Sequence, residues 1–132
     1  DITEAKDGSI LKKLLRPGAS SEHPQQDCNA FVHFTGRLLD GSIFETTREY
    51  VDGKLAGGTD EPLEFRIGQG QAIVGFDHAV LSMCAGELAS FVFAPSMAYR
   101  TEGLPPKVGP DQVVTFELEL LRWGEPLPPL PG

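Results

Sequence analysis

Few side chains of this chain are placed for metal or nucleophilic chemistry. The 132 residues include three histidines and two cysteines, and no histidine has a second histidine or cysteine at the spacing of zinc ligands. Cys84 follows His78 by six residues in a predicted helix, and this spacing puts the two side chains on different faces. We therefore expect an ordinary buried or half-buried thiol at Cys84 and no metal site.

Signals for nucleotide and hydrolytic chemistry are equally weak. Gly68-Gln69-Gly70, followed by Gly75, looks like a phosphate-binding loop, but its spacing does not fit G-x-G-x-x-G and no Lys-Ser or Lys-Thr pair follows. There is no Gly-x-Ser-x-Gly elbow, and the acidic residues are scattered without an obvious pair. The glycines are better interpreted as a strand-to-helix turn, and we predict no cofactor.

Aromatic and aliphatic residues at the ends of predicted elements are the stronger candidates for a site. Two explanations stay open at this point, namely a packed core or the lining of an apolar pocket. Tyr99 favours the pocket, because a tyrosine between Met97-Ala98 and Arg100-Thr101 in a proline-rich loop has little core to fill. The candidates are Phe34, Phe44, Ile73, Phe76, Tyr99 and Phe116.

The elements that must position these residues follow from hydrophobic periodicity. Strands are predicted over 31–39, 42–47, 63–67, 88–94 and 114–121. One helix is predicted over 72–83, because its apolar residues recur at spacings of three and four. Hairpin turns favour antiparallel pairing, and one helix covers only one face of a sheet. The expected class is α+β, with five mostly antiparallel strands and one short helix.

Composition limits the partners and the compartment. Eleven basic against 19 acidic residues give a net charge of −8, which disfavours nucleic acid and anionic membrane surfaces. No apolar run approaches the roughly 20 residues of a membrane span. Two cysteines in unrelated surroundings favour a reducing compartment, cytoplasmic or nuclear, without a disulfide. The 15 glycines and 11 prolines punctuate apolar runs, as in a turn-rich domain.

Several motifs together resemble one family. Residues 32–36 (VHFTG) and 39–45 (LDGSIFE) resemble the V-H-Y-T-G and L-x-D-G-x-x-F-D motifs of FKBP-type peptidyl-prolyl isomerases. Four more stretches agree in order and spacing, and the resemblance runs from Gly8 to Arg122. The further stretches are 65–70, 73–76, 98–99 with 105–106, and 116–120.

The resemblance implies an organisation of the chain. It predicts an N-terminal extension over 1–7, an isomerase-like domain over 8–122 and a proline-rich linker over 123–132. The segment 48–62 is predicted to be a long, mobile surface loop outside the family pattern. We expect the chain to be a piece excised from a longer, multidomain protein.

The resemblance also implies a half-barrel of antiparallel strands around the helix, with a hydrophobic pocket between them. Phe76 would form the pocket floor where the family usually has Trp, and Phe34 would replace a Tyr. Glu45 stands where the family has Asp, and Tyr99 would donate from the rim. The other implied pocket residues are Phe44 and Phe116 as walls, Ile73 through its backbone N–H, Leu63 and Ala72 as smaller wall residues, and Leu104 and Val108 in a flap.

The function implied is cis–trans isomerisation of X-Pro bonds without a covalent intermediate or cofactor. Expected partners are proline-containing peptides or proteins, with macrolide immunosuppressants as candidate ligands and a chaperone as a partner of regions beyond the chain. The replacements at Phe34, Glu45 and Phe76 predict reduced activity. The alternatives are a non-catalytic docking or co-chaperone module and an unrelated α+β domain with a purely structural phenylalanine cluster.

Overall fold

A computed structural model describes residues 8–124 of the chain. Within this range lie eight strands, one α-helix and a short 3-10 turn at Pro95–Met97. No helix of the described residues is long and apolar enough to cross a membrane. The strands are β1 (Ile10–Arg16), β2 (Asn29–Arg37), β3 (Ile43–Thr46), β4 (Tyr50–Val51), β5 (Lys54–Leu55), β6 (Leu63–Arg66), β7 (Leu88–Phe93) and β8 (Val114–Trp123), and the helix is α1 (Val74–Leu81).

Six strands form one antiparallel sheet, and the predicted α+β class is confirmed. The order is β1-β7-β8-β2-β3, and β6 also pairs with β2. The sixth strand is β1, whose 9–15 segment carried no strand prediction. Its side chains are mostly exposed, so it lacks the alternation that marked β7 and β8. β8 also continues to Trp123, two residues beyond the predicted strand.

The helix buries one face, along its whole length, in the core. It begins after Ile73, whose backbone is extended (φ −60°, ψ 151°), and it buries Gly75, Phe76, Ala79 and Val80. Gly75 permits this close approach, because a Cβ atom there would lie 2.8 Å from the Met97 carbonyl oxygen. The helix is therefore shorter than the predicted 72–83 segment.

The segment 48–62, predicted to be a mobile loop, contains the β4–β5 hairpin. Asp52 and Gly53 make its turn with positive φ angles of 52° and 79°, a conformation that Asp and Gly tolerate. The Asp60 carboxylate accepts a hydrogen bond from the Glu49 N–H (2.9 Å). The segment thus has regular structure that its polar, glycine-rich composition did not indicate.

Both cysteines are buried and free. Cys28 is fully buried just before β2, although its flanking sequence is polar. Cys84 lies near His23, with Sγ 3.7 Å from Nδ1, and not near His78. The His23 Nδ1 also lies 2.9 Å from the Met83 carbonyl oxygen, so it serves as the donor there and not as a base for the thiol.

Candidate functional site

A cavity of about 190 Å³ lies between the sheet and the start of α1. The aromatic candidates from distant parts of the sequence meet here, because β2, β3, β6 and β8 are joined in one sheet below the helix. Eight of the eleven predicted site residues line the cavity. The lining consists of Phe34, Glu45, Leu63, Gln71, Ala72, Ile73, Phe76, Tyr99 and Phe116.

Three phenylalanine rings form the apolar wall of the cavity. The Phe76 ring lies 4.9 Å from Phe116 and 5.4 Å from Phe34, both in edge-to-face geometry. Phe76 and Phe116 are almost fully buried, at 3% and 1% exposure. Edge-to-face pairs are favoured by the ring quadrupole, so these rings hold a fixed shape. The wall is apolar, and the polar lining residues are Glu45, Gln71 and Tyr99.

Phe44 supports this wall from behind and does not line the cavity. Its ring contacts Phe116 at 5.5 Å and Tyr99 at 5.8 Å, again edge to face. Gly36 on the neighbouring strand lets both rings approach the backbone, because a Cβ atom there would lie 2.7 Å from Phe44 and 2.8 Å from Phe116. Phe44 therefore fixes two lining residues.

Among the cavity's hydrogen-bond donors without a partner in residues 8–124, two lie beside the phenylalanine wall. One is the backbone N–H of Ile73, which precedes the first turn of α1, and the other is the hydroxyl of Tyr99. Burial, with a smaller contribution from the Glu45 charge, raises the pKa of Tyr99 to about 12. The hydroxyl consequently keeps its proton and remains a donor at neutral pH.

The loop between β6 and α1 carries the Ile73 donor, and hydrogen bonds hold it in place. Asp77 Oδ1 accepts a hydrogen bond from the Gly68 N–H (2.9 Å), and Gln71 Oε1 accepts one from the Arg66 N–H (2.9 Å). Burial raises the pKa of Asp77, opposed by the Gly68 hydrogen bond. Gln71 is the lining residue missing from the predicted site, although its position directly before Ala72 and Ile73 was a usable signal.

The structure does not bring Leu104 and Val108 to the cavity. They pair with each other through two backbone hydrogen bonds of 2.8 Å. Val108 is 1% exposed, and Leu104 packs against the main core. Both side chains pack on the core, and neither is among the residues that line the cavity in this structure.

A second hollow of about 230 Å³ contains His33 and the loop before β4. The Glu119 carboxylate in this hollow is already paired, because it accepts hydrogen bonds from Arg48 (2.6 Å) and from Arg16 (2.8 Å). Burial and the Arg48 charge lower the pKa of His33, and its Nδ1 lies 2.8 Å from the Thr47 hydroxyl. No three His, Cys, Asp or Glu side chains in residues 8–124 are grouped to hold a metal ion. The first cavity, with its unpaired donors, is the better candidate site.

These features define a small domain with an antiparallel sheet packed on one short helix and an aromatic cavity between them. A model of the FKBP-type peptidyl-prolyl cis-trans isomerase family matches residues 20–121. Peptidyl-prolyl cis-trans isomerase Fkbp12 of Drosophila melanogaster is 32% identical over 108 residues, which cover 82% of this chain and 92% of that protein. The chain therefore belongs to the FKBP-type peptidyl-prolyl cis-trans isomerase family.

Longer relatives contain a similar domain. FK506-binding protein 59 of Drosophila melanogaster is 40% identical over 124 residues, which are 93% of this chain and 26% of that protein. The crystal structure of the three FKBP domains of wheat FKBP73 superposes with a TM-score of 0.77 at 30% identity, covering 91% of this chain and 48% of that one. The chain thus spans about a quarter of the first of these relatives.

Proposed function

We propose that this domain accelerates the cis–trans isomerisation of X-Pro bonds in proline-containing peptides or proteins. The supporting observation is an aromatic cavity with the unpartnered Ile73 N–H and Tyr99 hydroxyl as donors. The phenylalanine wall suits the apolar pyrrolidine ring of proline. The donors suit peptide carbonyl oxygens on either side of that ring.

The cavity favours the transition state by desolvation and hydrogen bonding. Amide resonance sets a rotation barrier of roughly 18–20 kcal/mol. Twisting the bond removes the resonance and reduces the charge on the carbonyl oxygen. An apolar environment therefore destabilises the planar amide more than the twisted one, which lowers the barrier to rotation. The Phe76 and Phe116 rings supply this surrounding, while Ile73 anchors a neighbouring carbonyl. A millionfold acceleration needs only about 8 kcal/mol.

We further propose that turnover is lower than in family members with Trp and Tyr at the matching positions. The Phe76 ring is smaller than an indole and has no N–H, and Phe34 has no hydroxyl to bind the Glu45 carboxylate. The Glu45 carboxylate accordingly has no hydrogen bond or ion pair within residues 8–124. Weaker floor contacts and a less fixed carboxylate both reduce transition-state binding.

Isomerisation of a tetrapeptide with one proline tests the proposal. The intact chain should accelerate it, and Phe76→Leu, which opens the cavity floor, should lower kcat/KM by roughly tenfold. Phe91→Leu is a matched control, because Phe91 is fully buried but lies outside the cavity lining. Equal losses in both variants, or no acceleration by the intact chain, would contradict the assigned site.

A non-catalytic docking module is the second candidate. Leu39, Tyr50 and Leu55 are exposed by 73%, 59% and 71%, and such residues are available to a protein partner. A titration with a macrolide immunosuppressant separates the candidates. Binding together with turnover supports the enzyme, while neither binding nor turnover supports the docking module.

We also propose that the full-length protein lies in a reducing compartment and has a chaperone as a partner. The two free, buried cysteines support a reducing cytoplasm or nucleus. Fractionation of cells, with detection of the full-length protein, tests the compartment. Co-purification of a chaperone with that protein, and not with residues 8–124 alone, tests the partner.

A further inference from the structure

Glu45 is the one charged side chain among the nine that line the candidate cavity. It lies on β3, where its backbone pairs with Gly36 of β2 and its half-buried side chain turns to the cavity. Its neighbours in the lining are aromatic and aliphatic side chains, Gln71 and the Tyr99 hydroxyl. A carboxylate in such surroundings is costly unless a cation or hydrogen-bond donor compensates it.

No group of residues 8–124 compensates this carboxylate. The nearby Tyr99 hydroxyl lies close enough for the Glu45 charge to contribute to its raised pKa, but no hydrogen bond joins them. Phe34, which also lines the cavity, has no hydroxyl to donate. No basic residue in the described part of the chain lines the cavity. Arg37 pairs with Asp52 and Glu117, Arg48 pairs with Glu119, and Arg100 lines a different hollow.

We infer that Glu45 selects substrates with a lysine or arginine next to the isomerising proline. This inference rests on the proposed isomerase function and specifies its substrate class. The net charge of −8 acts in the same direction, because it attracts basic peptides over distances of about one Debye length. A bound ammonium or guanidinium group would give the Glu45 carboxylate the partner that the protein does not supply.

The test compares peptides that differ only in one charge. One peptide has lysine beside its proline and the other has norleucine, an uncharged residue of similar length, and each is made with that residue before and after the proline. We expect a lysine-to-norleucine ratio of kcat/KM of about three to five in one of the two positions, the range of a partly exposed ion pair. The ratio should fall toward one in 1 M salt.

Two variants assign the preference to Glu45. Glu45→Gln should bring the ratio to about one, while Glu117→Gln, with the same change in net charge outside the candidate cavity, should keep it. Each variant is judged by its own ratio, so a general loss of activity does not affect the comparison. Glu45→Asp should preserve a preference for lysine.

The outcomes separate the inference from the proposed function. Equal turnover of lysine and norleucine peptides in both positions, or a preference that survives Glu45→Gln, overturns the inference and leaves the isomerase function intact. No turnover of any peptide overturns the proposed function and the inference with it.

Discussion

Replacing Gly36 by alanine tests how tightly the cavity wall is packed. The new methyl group would lie 2.7 Å from Cζ of Phe44 and 2.8 Å from Cε1 of Phe116. Both rings are packed among other side chains, because Phe116 is 1% exposed and Phe44 is 8% exposed. The substitution therefore forces both rings, and the strand below them, to shift.

The expected loss of stability follows from two opposing effects. Overpacking of a buried site costs about 1–3 kcal/mol, while alanine in place of glycine lowers the entropy of the unfolded chain by an equivalent of about 0.4–1 kcal/mol. The net loss for Gly36→Ala is thus roughly 1–2 kcal/mol. For a domain of this size that corresponds to a decrease in Tm of roughly 3–10 °C.

The same shift should impair the site. Phe116 lines the cavity and Phe44 supports it, and each 1.4 kcal/mol lost from transition-state binding lowers the rate about tenfold. Thermal unfolding and peptide isomerisation would be measured for the native chain, Gly36→Ala and the control Gly109→Ala. At Gly109 a Cβ atom meets only the Gln112 side chain, at 3.9 Å, so Tm should change little. Native Tm and activity in Gly36→Ala would refute the close packing of Phe44 and Phe116 against β2.

Three further changes probe the donors and the supporting contacts. Tyr99→Phe should lower kcat/KM roughly three- to tenfold, with little change in Tm at pH 7. The Tyr99 pKa is about 12 in the folded chain and near 10 in the unfolded chain. The native chain should therefore lose stability relative to this variant as pH rises from 10 to 12. Asp77→Ala releases the Gly68 N–H and should lower kcat/KM by a similar factor. Asp77→Asn keeps an acceptor, so its kcat/KM should stay within about twofold of the native value. Equal losses in both variants would contradict the role of Asp77 in positioning the loop before α1. Lys12→Met leaves the buried Glu87 carboxylate without its ion pair (2.8 Å) and should cost about 3 kcal/mol in urea unfolding, and adding Glu87→Gln should restore most of it.

Much of the fold could be predicted where a strand alternates strictly, as β7 and most of β8 do. In these stretches every second side chain is buried, so residues such as Phe91 and Phe116 mark their strands in the sequence. β1 could not be found in this way. It is an edge strand paired only with β7, and its side chains are mainly exposed whatever their polarity.

The site was predictable where a side chain itself carries the signal. Phe34, Phe76 and Tyr99 meet at one cavity, as the resemblance implied. The flap residues Leu104 and Val108 do not line it; they pair with each other in a local backbone bridge that no sequence pattern indicated. Phe34 in the sequence already indicated that Glu45 lacks a hydroxyl partner. That no arginine replaces this partner was hidden, since it depends on where side chains such as Arg48 are directed.

Backbone amide chemical shifts during titration of a proline-containing peptide test most directly that the cavity above Phe76 binds proline. If proline binds there, the Ile73 amide gains a carbonyl acceptor and should show one of the largest shifts, together with Ala72 and Tyr99. Tyr50 and Arg48, which line the other hollow, should change little. Large shifts confined to Arg48 and Tyr50, with the Ile73 amide unmoved at saturation, would contradict the assignment of the site.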